Sequence, residues 1–524
     1  MTRMIKERWS IDCLRFDIDE RARGTALYRV DTGSMIFDFP VFSFEPSGAG
    51  RTGRIIGRAW DMMGALVEGK MSEEDIAATR AEMPKLYAGR ATKGTLIWAR
   101  CNRSMRVFEH ALEALAAGRQ PDIATLARAC YLMRNTGLDG NGTFGTRSFL
   151  ALKDDHPLRQ PLAAQMLCAY LMRCFANDLV EHLARARNPK AVALAPQIKR
   201  FLGVGNGSAL GIVLFVNNHP RLIDRWLAAR ETAIAAAKAL RLGPLGADLG
   251  RLDRLLAKAA AFRRQDRMRY DAFASSHLVA EELEAARGRL AELRQADDAA
   301  FPLAAFADRC ERDFHAETHE TLLSILIELV PEIADELSET LIVSEETVVD
   351  ATMRAGELRD LLRRDYAWAL GMDLRPEGAS RYVWYKSETA EEPRRGPREE
   401  ATGAFNLGLD LPRLAQALDA ALAADPRARI GRLLLARPDL RSFVARIQAL
   451  ATLRYHSPHM NMMGDDFVPI HVVRLVNVAL HGIDKTRDFL NRNLRGVIFH
   501  GAPLPEDLKQ GADEEWFYPA EPRP

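Results

Sequence analysis

From Arg58 onward, apolar residues recur at intervals of three and four, and this spacing constrains the fold more than any other feature of the chain. Met105, Phe108 and Leu112 follow it in the stretch that ends at Gly118. The spacing is that of an amphipathic helix, and glycine commonly ends one. Similar stretches predict further helices, of which the longest lies over 162–187. Most of the chain is therefore expected to be helical.

The first fifty residues have a different pattern. The segment 26–45 is rich in aromatic and β-branched residues, which alternate on either side of Thr32 and Gly33. This is the pattern of a β-hairpin, with a third strand expected after Pro40. Because so small a sheet is marginal alone, it must pack on helices. The predicted fold class is mainly α, a large helical body with a small N-terminal antiparallel β-hairpin or three-stranded sheet.

Changes in composition along the chain predict four regions. The last of them includes a charged loop at 386–402 and a histidine-rich loop at 456–471. The regions are residues 1–57, the hairpin segment; 58–245, a helical core with two breaks rich in glycine and asparagine; 246–300, a long charged helical hairpin projecting from the body; and 301–524, a C-terminal helical region.

Composition excludes several classes of protein. The 524 residues include 72 basic and 71 acidic ones, a net charge of +1, so no overall field attracts nucleic acid or an anionic membrane. The basic stretch 251–269 is better explained as a helix face that is solvated or paired with acids. No apolar run reaches the roughly 18–20 residues of a membrane helix. Six scattered cysteines without CxxC spacing indicate free thiols, and the N-terminus lacks a secretory signal, so a cytoplasmic location is expected.

Two segments that combine glycine and asparagine interrupt the helical pattern, at 134–148 and at 203–211. One interpretation is that both are connections between helices, in which glycines serve as caps and turns. The other is that basic and amide side chains beside an adaptable backbone bind a carboxylate or phosphate. The candidate ligands for such an anion are Arg134, Asn135, Asn141, Arg147 and Asn206.

Neither segment carries a nucleotide-binding fingerprint. Gly140 to Thr146 fits the spacing GxxxxGT, but the lysine that reaches the phosphates is replaced, since Arg147 follows Thr146. In the second segment Ser208 stands where the third glycine of GxGxxG is needed. Both motifs also require a preceding strand, whereas the pattern here predicts helices. The cofactor therefore stays unknown.

Candidates for proton transfer come from two polar stretches in the second half. His456 and His459 lie near Asp465 and Asp466 in the histidine-rich loop, and either imidazole could serve as a general base. Aromatic neighbours around Lys386 could depress its pKa by desolvation. Trp384 and Tyr385 would then form a pocket wall with the charged loop as a lid; alternatively, that loop is a surface segment whose charges pair with one another.

A metal site has one weak candidate pair, His315 and His319. Their spacing of four places both on one face of a helix. The glutamate of the zincin motif is absent, because Ala316 occupies that position. Helix-surface histidines that are simply solvated are the alternative, and no third ligand is marked.

The sequence therefore favours an enzyme that binds a small anionic metabolite and acts by acid–base chemistry of the elimination or hydrolysis type. Arg134 and Arg147 would hold the anion, Asn141 and Asn206 would donate hydrogen bonds, and a histidine or lysine would move the proton. A non-catalytic interaction or scaffold protein that uses the helices of 250–296 is the alternative. A metal-dependent helical oxygenase or hydrolase is the second. Assembly into a homo-oligomer through helical surfaces is left open.

Overall fold

The structure is a computed structural model of the chain. The first and last residues given below for each strand and helix are defined by the backbone. The residues described are 1–46, 60–82, 94–104, 106–127, 129–139, 152–159, 163–206, 238–239, 247–265, 276–294, 303–315, 318–319, 321–322, 325–326, 349–365, 367–370, 384–386, 393–395, 407–441, 444, 487–488, 493–494, 496–512, 515–516 and 518–523.

The centre of the fold is an eight-stranded sheet. Seven strands come from the first 206 residues and the eighth from the C-terminal region. In spatial order they are β1 (Ser10–Ile18), β2 (Gly24–Asp31), β3 (Ile36–Ser43), β4 (Met62–Glu68), β5 (Thr95–Arg103), β6 (Tyr131–Asp139), β7 (Gly203–Asn206) and β12 (Gly496–Ile498). Neighbouring strands are antiparallel except β6 and β7, which are parallel.

Helices of 4 to 25 residues and small strands form most of the remaining described backbone. Two further two-stranded sheets pair β8 with β9 and β10 with β11. The helices are α1 (Thr2–Lys6), α2 (Glu73–Glu82), α3 (Val107–Ala116), α4 (Ile123–Leu126), α5 (Ala163–Arg187), α6 (Pro196–Phe201), α7 (Ala247–Gln265), α8 (Ser276–Arg294), α9 (Leu303–Asp313), α10 (Ala355–Asp365), α11 (Ala367–Leu370), α12 (Leu407–Ala424), α13 (Ile430–Ala436) and α14 (Pro505–Gln510); the small strands are β8 (Trp384–Lys386), β9 (Pro393–Arg395), β10 (Arg487–Asp488) and β11 (Asn493–Leu494).

Helix α5 covers one face of the large sheet, which we call the first face. Its side chains are buried along most of its length, and it contacts β4, β5, β6 and β7. It also reaches the far edge, where Phe16 of β1 packs against Phe175 with ring centroids 5.9 Å apart. The buried polar side chains of α5, such as Arg173, are hydrogen-bonded within the core, and α3 packs on α5. The opposite, second face carries a smaller apolar group that includes Trp98 and Ile76 of α2.

The segment from β6 to β7 is a β-α-β crossover. Both strands start at the same edge of the sheet, because Tyr131 pairs with Gly203. The chain leaves β6 at the other edge and has to return before β7 begins, and α5 followed by α6 makes that return. Ligands of such units bind at the carboxyl ends of the parallel strands, which is the edge where β6 and β7 end.

The C-terminal segment is an integral part of this sheet. Strand β12 pairs with β7, and the residues after it bond to the buried guanidinium of Arg173 on α5. This group donates to five carbonyl oxygens, which belong to Lys199, Arg200, Leu202, Ala502 and Pro503. One buried cation therefore joins the crossover segment before β7 to the C-terminal segment.

The predicted fold class is wrong. The described part is 54% helix and 19% strand, and its sheet has eight strands of mixed direction rather than two or three. The cause lies in strands such as β5, in which nearly every residue is buried. A strand buried on both faces lacks alternation, so periodicity cannot separate it from a short helix. Pro40 also lies inside β3, opposite Leu27, and does not precede a third strand.

Several element predictions are confirmed. The hairpin turn at Thr32 and Gly33 joins β2 to β3, and the long helix predicted over 162–187 is α5. The helical hairpin predicted within 246–300 consists of α7 and α8, which contact each other. Its apolar side chains are buried in the main core, so the hairpin packs into the body instead of projecting from it. Among the described residues, no helix has both the length and the apolar character needed to cross a membrane.

Candidate functional site

The parallel pairing of β6 with β7 brings the two glycine- and asparagine-containing segments together. In register, Arg134 lies beside Gly205, and Asn135 lies beside Asn206. Both strands then end at the same edge of the sheet. Arg134 and Asn135 of β6 are thus neighbours of Asn206 of β7, although about seventy residues lie between the two strands in sequence. These are three of the five predicted anion ligands. The interpretation of these segments as connections between helices is wrong, because both begin in strands.

A set of polar residues lies on the second face of β5, β6 and β7. On β5, Ala99 and Cys101 face the main core, so the alternate residues Arg100 and Asn102 face the other way. Arg134 pairs with Asn102 across one strand boundary and with Gly205 across the other, and paired residues share a face. We call the set Arg100, Asn102, Tyr131, Arg134 and Gly205 the arginine surface.

Arg100 is held rigidly between two indole rings. Its guanidinium carbon lies 4.3 Å from the ring centroid of Trp98 and 4.3 Å from that of Trp60. Stacking of this kind fixes the plane of the guanidinium, which is the group that binds carboxylate and phosphate with two parallel hydrogen bonds. Arg134 pairs with Asn102, and Arg100 lies two positions before Asn102 on β5 and pairs with Gly137 beyond a register shift. The side chain of Arg100 is buried.

Asn102 is anchored by the residue that precedes β4. Its Oδ1 accepts a hydrogen bond from the backbone N–H of Asp61 at 3.1 Å. The carboxylate of Asp61 is buried and accepts from the backbone N–H of Arg103 at 2.8 Å. These two bonds tie the end of β5 to the start of β4. They hold the amide of Asn102 in a fixed place opposite Arg134.

The remaining predicted anion ligands are less completely placed. Asn135 and Asn206 have defined positions in the sheet, but the structure describes only their backbone. Asn141 and Arg147 lie outside the described residues. Their roles therefore stay predictions. They follow β6 in the sequence, after the edge at which an anion-binding loop of a β-α-β unit is expected.

The structure alters one argument against a nucleotide-type loop. The stretch from Gly140 to Thr146 directly follows strand β6, so the expectation of a preceding helix is wrong for the first segment. The second segment begins with strand β7 and follows helix α6, so no strand precedes it, as expected. The other argument stands, because the lysine of the GxxxxGK motif is absent and Ser208 replaces a glycine. The first segment thus has the strand context of a phosphate loop without its full set of residues.

The predicted proton-transfer residues lie in other parts of the chain. His456 and His459 fall outside the described residues. Trp384, Tyr385 and Lys386 form strand β8, which pairs with β9 at the start of the predicted charged loop. Only the backbone of this hairpin is described. The catalytic role of these residues stays a prediction.

His315 and His319 have different partners. The Nδ1 atom of His315 is 2.7 Å from Oε1 of Glu282 on α8, and this side chain is exposed. His319 is buried, and its Nε2 lies 4.0 Å from Oε2 of Glu311 on α9. The two imidazoles are thus directed to carboxylates of two separate helices. In the described part of the chain, no three histidine, cysteine, aspartate or glutamate side chains are grouped as a metal ion would require.

Sequence reasoning missed an acid–base pair on the first face. The hydroxyl of Tyr28 on β2 donates to Oδ2 of Asp178 on α5 at 2.6 Å. Burial raises the pKa of Asp178 to about 6, and the charges of Glu181 and Glu506 add to the rise. The hydrogen bond from Tyr28 and the charge of Lys199 lower this pKa, but by less than burial raises it. The two residues are 150 positions apart, so no local pattern could have paired them. Arg100 could have been noticed, because an arginine inside an apolar strand is unusual.

Comparison with known proteins gives no relative. No family model matches the chain, and neither a curated protein nor a solved structure is significantly similar to it.

Proposed function

We propose that the chain is an enzyme that binds a small anionic metabolite at the arginine surface. The observation that carries the proposal is the pairing of Arg134 with both Asn102 and Gly205 on neighbouring strands. It sets the backbone of one arginine beside an anchored amide and a residue without a side chain. A second arginine, Arg100, lies two positions before Asn102 on β5. Charged hydrogen bonds of this kind are the usual means of fixing a carboxylate or phosphate.

The position within the fold supports the same proposal. The arginine surface lies on the parallel pair of a β-α-β unit, and such units bind ligands beyond the carboxyl ends of their strands. Tyr131 is at the amino end of β6, whereas Arg134 pairs with Gly205, one residue before β7 ends.

The reaction we propose is acid–base chemistry of the elimination or hydrolysis type, as in a lyase or hydrolase. The arginines would hold the anionic group and stabilise negative charge that develops on it. His456, His459 or Lys386 would transfer the proton, with Trp384 and Tyr385 as a pocket wall. None of the six cysteines forms a disulfide, which is typical of a reducing compartment, and the location we propose is the cytoplasm.

Anion binding by variants of Arg134 tests the proposal. We expect inorganic phosphate or acetate to bind the wild-type protein. Arg134→Ala should weaken binding about 10- to 100-fold, because a hydrogen bond to a charged group contributes about 1.5–3 kcal/mol. Arg134→Lys should fall between the two, since lysine keeps the charge but loses the planar fork. Titration calorimetry measures all three affinities.

The matched control is Arg363→Ala. Arg363 is an exposed arginine of α10 that lies 3.5 Å from Asp419, and its removal changes the net charge of the protein by the same amount. This variant should bind the anions as the wild type does. Equal affinities of the wild type and Arg134→Ala would contradict the proposal, as would binding of none of the anions.

A further inference from the structure

The ring of Tyr131 lies flat on the backbone of Gly205. A Cβ atom added to Gly205 would be 2.8 Å from each of Cδ1, Cδ2 and Cε1 of Tyr131. A point equally distant from three atoms of a six-membered ring lies on the axis through the ring centre. Tyr131 therefore presents the face of its ring to Gly205, and any side chain at position 205 would push the ring away. The glycine is required by this close approach.

The opposite face of the ring is directed away from the sheet. Tyr131 is partly exposed and also packs against the main core. It lies on the second face because its ring covers the side of Gly205 to which a Cβ would point, and Gly205 pairs with Arg134 of that face. The ring is thus parallel to the sheet, over the residue that pairs with Arg134.

We infer that the arginine surface takes an anion attached to a flat, aromatic ring. This inference rests on the proposed function, because it names the class of ligand for the same site. The anionic group lies against Arg134, and the ligand ring stacks on the outer face of Tyr131. Aromatic rings prefer offset stacking on one another, and a saturated ring of the same size is too thick to make that contact closely.

Ligand-observed NMR titration compares three carboxylates that differ in the attached group, namely benzoate, cyclohexanecarboxylate and acetate. Benzoate should bind about three- to tenfold more tightly than cyclohexanecarboxylate, the range that an aromatic pair adds beyond its buried area. Its ring protons should move upfield, because the ring current of Tyr131 shields a proton above its face. Arg134→Ala should weaken all three acids.

Two variants of Tyr131 separate stacking from bulk. Tyr131→Phe keeps the ring and should keep the preference for benzoate. Tyr131→Leu keeps an apolar side chain but lacks a flat face, so benzoate and cyclohexanecarboxylate should bind it equally. Circular dichroism and the melting temperature show whether each variant is folded, and the Phe variant remains a test if the Leu variant is not.

The outcomes distinguish this inference from the proposed function. If the three acids bind the wild type equally and Arg134→Ala weakens them, the anion site stands and the inference about the ring is overturned. The inference is also overturned if Tyr131→Phe loses the preference while it remains folded. If no acid binds the wild type, the proposed function fails and the inference fails with it.

Discussion

Asp178 shows how strongly the properties of a residue depend on contacts that are distant in sequence. The nearest cation on α6, Lys199, is 2.7 Å from Glu181 and is engaged there. Among the described residues, Tyr28 is the one group that hydrogen-bonds to Asp178. The carboxyl is thus desolvated between other acids, Glu181 and Glu506, without a cation of its own. These circumstances raise its pKa to about 6 and make its charged form costly.

We expect Asp178→Asn to stabilise the protein at neutral pH. The folded-state pKa is above the unfolded value of about 3.9, so the contribution of Asp178 to stability is full below pH 4 and is lost as pH rises through 6. The variant should therefore gain about 2–3 kcal/mol relative to the wild type at pH 7 and little at pH 4. Urea unfolding at both pH values measures this. A gain that is the same at both would contradict the assignment.

The residues of the candidate site were only partly predictable from sequence. Arg134, Asn135 and Asn206 were selected because they lie beside glycines, a local signal that does not depend on the fold. Arg100 and Asn102 gave no such signal, since their role comes from strand pairing with β6. Tyr131 matters through its contact with Gly205, which requires the crossover of β6 and β7. Local chemistry thus identified single residues, but the surface depends on register.

At the level of elements, helices with apolar spacing were predicted well and buried strands were not. Helix α5 was predicted within one residue of its bounds, and α3 lies in the stretch that was predicted to be helical up to Gly118. Strand β5 is buried along nearly all of its nine residues, and strand β7 has only four residues. In these strands pairing with neighbours, and not the preference of each residue, determines the structure.

The glycines of two elements allow a direct comparison. An added Cβ at Gly203 of β7 would lie 2.4 Å from the carbonyl oxygen of Ile498, whereas one at Gly288 of α8 would meet nothing within 4 Å. Gly203→Ala must displace β12, so it should cost about 1–3 kcal/mol or more. Gly288→Ala should stabilise by about 0.5–1 kcal/mol, because alanine loses less entropy in a helix. Urea unfolding gives both values; opposite signs support the pairing of β7 with β12, and a neutral Gly203→Ala argues against it.

At the scale of the whole molecule, the sequence could not show that the chain closes on itself. The N-terminal strands and the last thirty residues form one sheet and one core. This closure depends on a pairing between β7 and β12 across almost three hundred residues. The sequence pattern divides the chain by composition, and composition carries no information about which distant segments meet.

Arg173 is the residue through which this closure can be tested. All five of its carbonyl partners are neutral, and burial lowers the pKa of its guanidinium, so the hydrogen bonds must offset its desolvation. Arg173→Met would leave those carbonyls without donors, and each buried unsatisfied group costs about 1–3 kcal/mol. We expect a loss on the order of 3–5 kcal/mol in urea unfolding. Hydrogen exchange should rise in both β7 and the segment 496–504, since the same cation holds both.

The control for this prediction is Arg185→Met on the same helix. Arg185 is exposed and pairs with Glu181 at 3.1 Å, so its removal should cost no more than about 1 kcal/mol. If Arg173→Met lowers the free energy of unfolding no more than the control does, the bonds to the carbonyls do not hold the C-terminal segment to the crossover. If exchange rises in β7 but not in 496–504, the C-terminal segment is retained by the β7–β12 pairing and by α14. The buried cation would then stabilise the crossover alone.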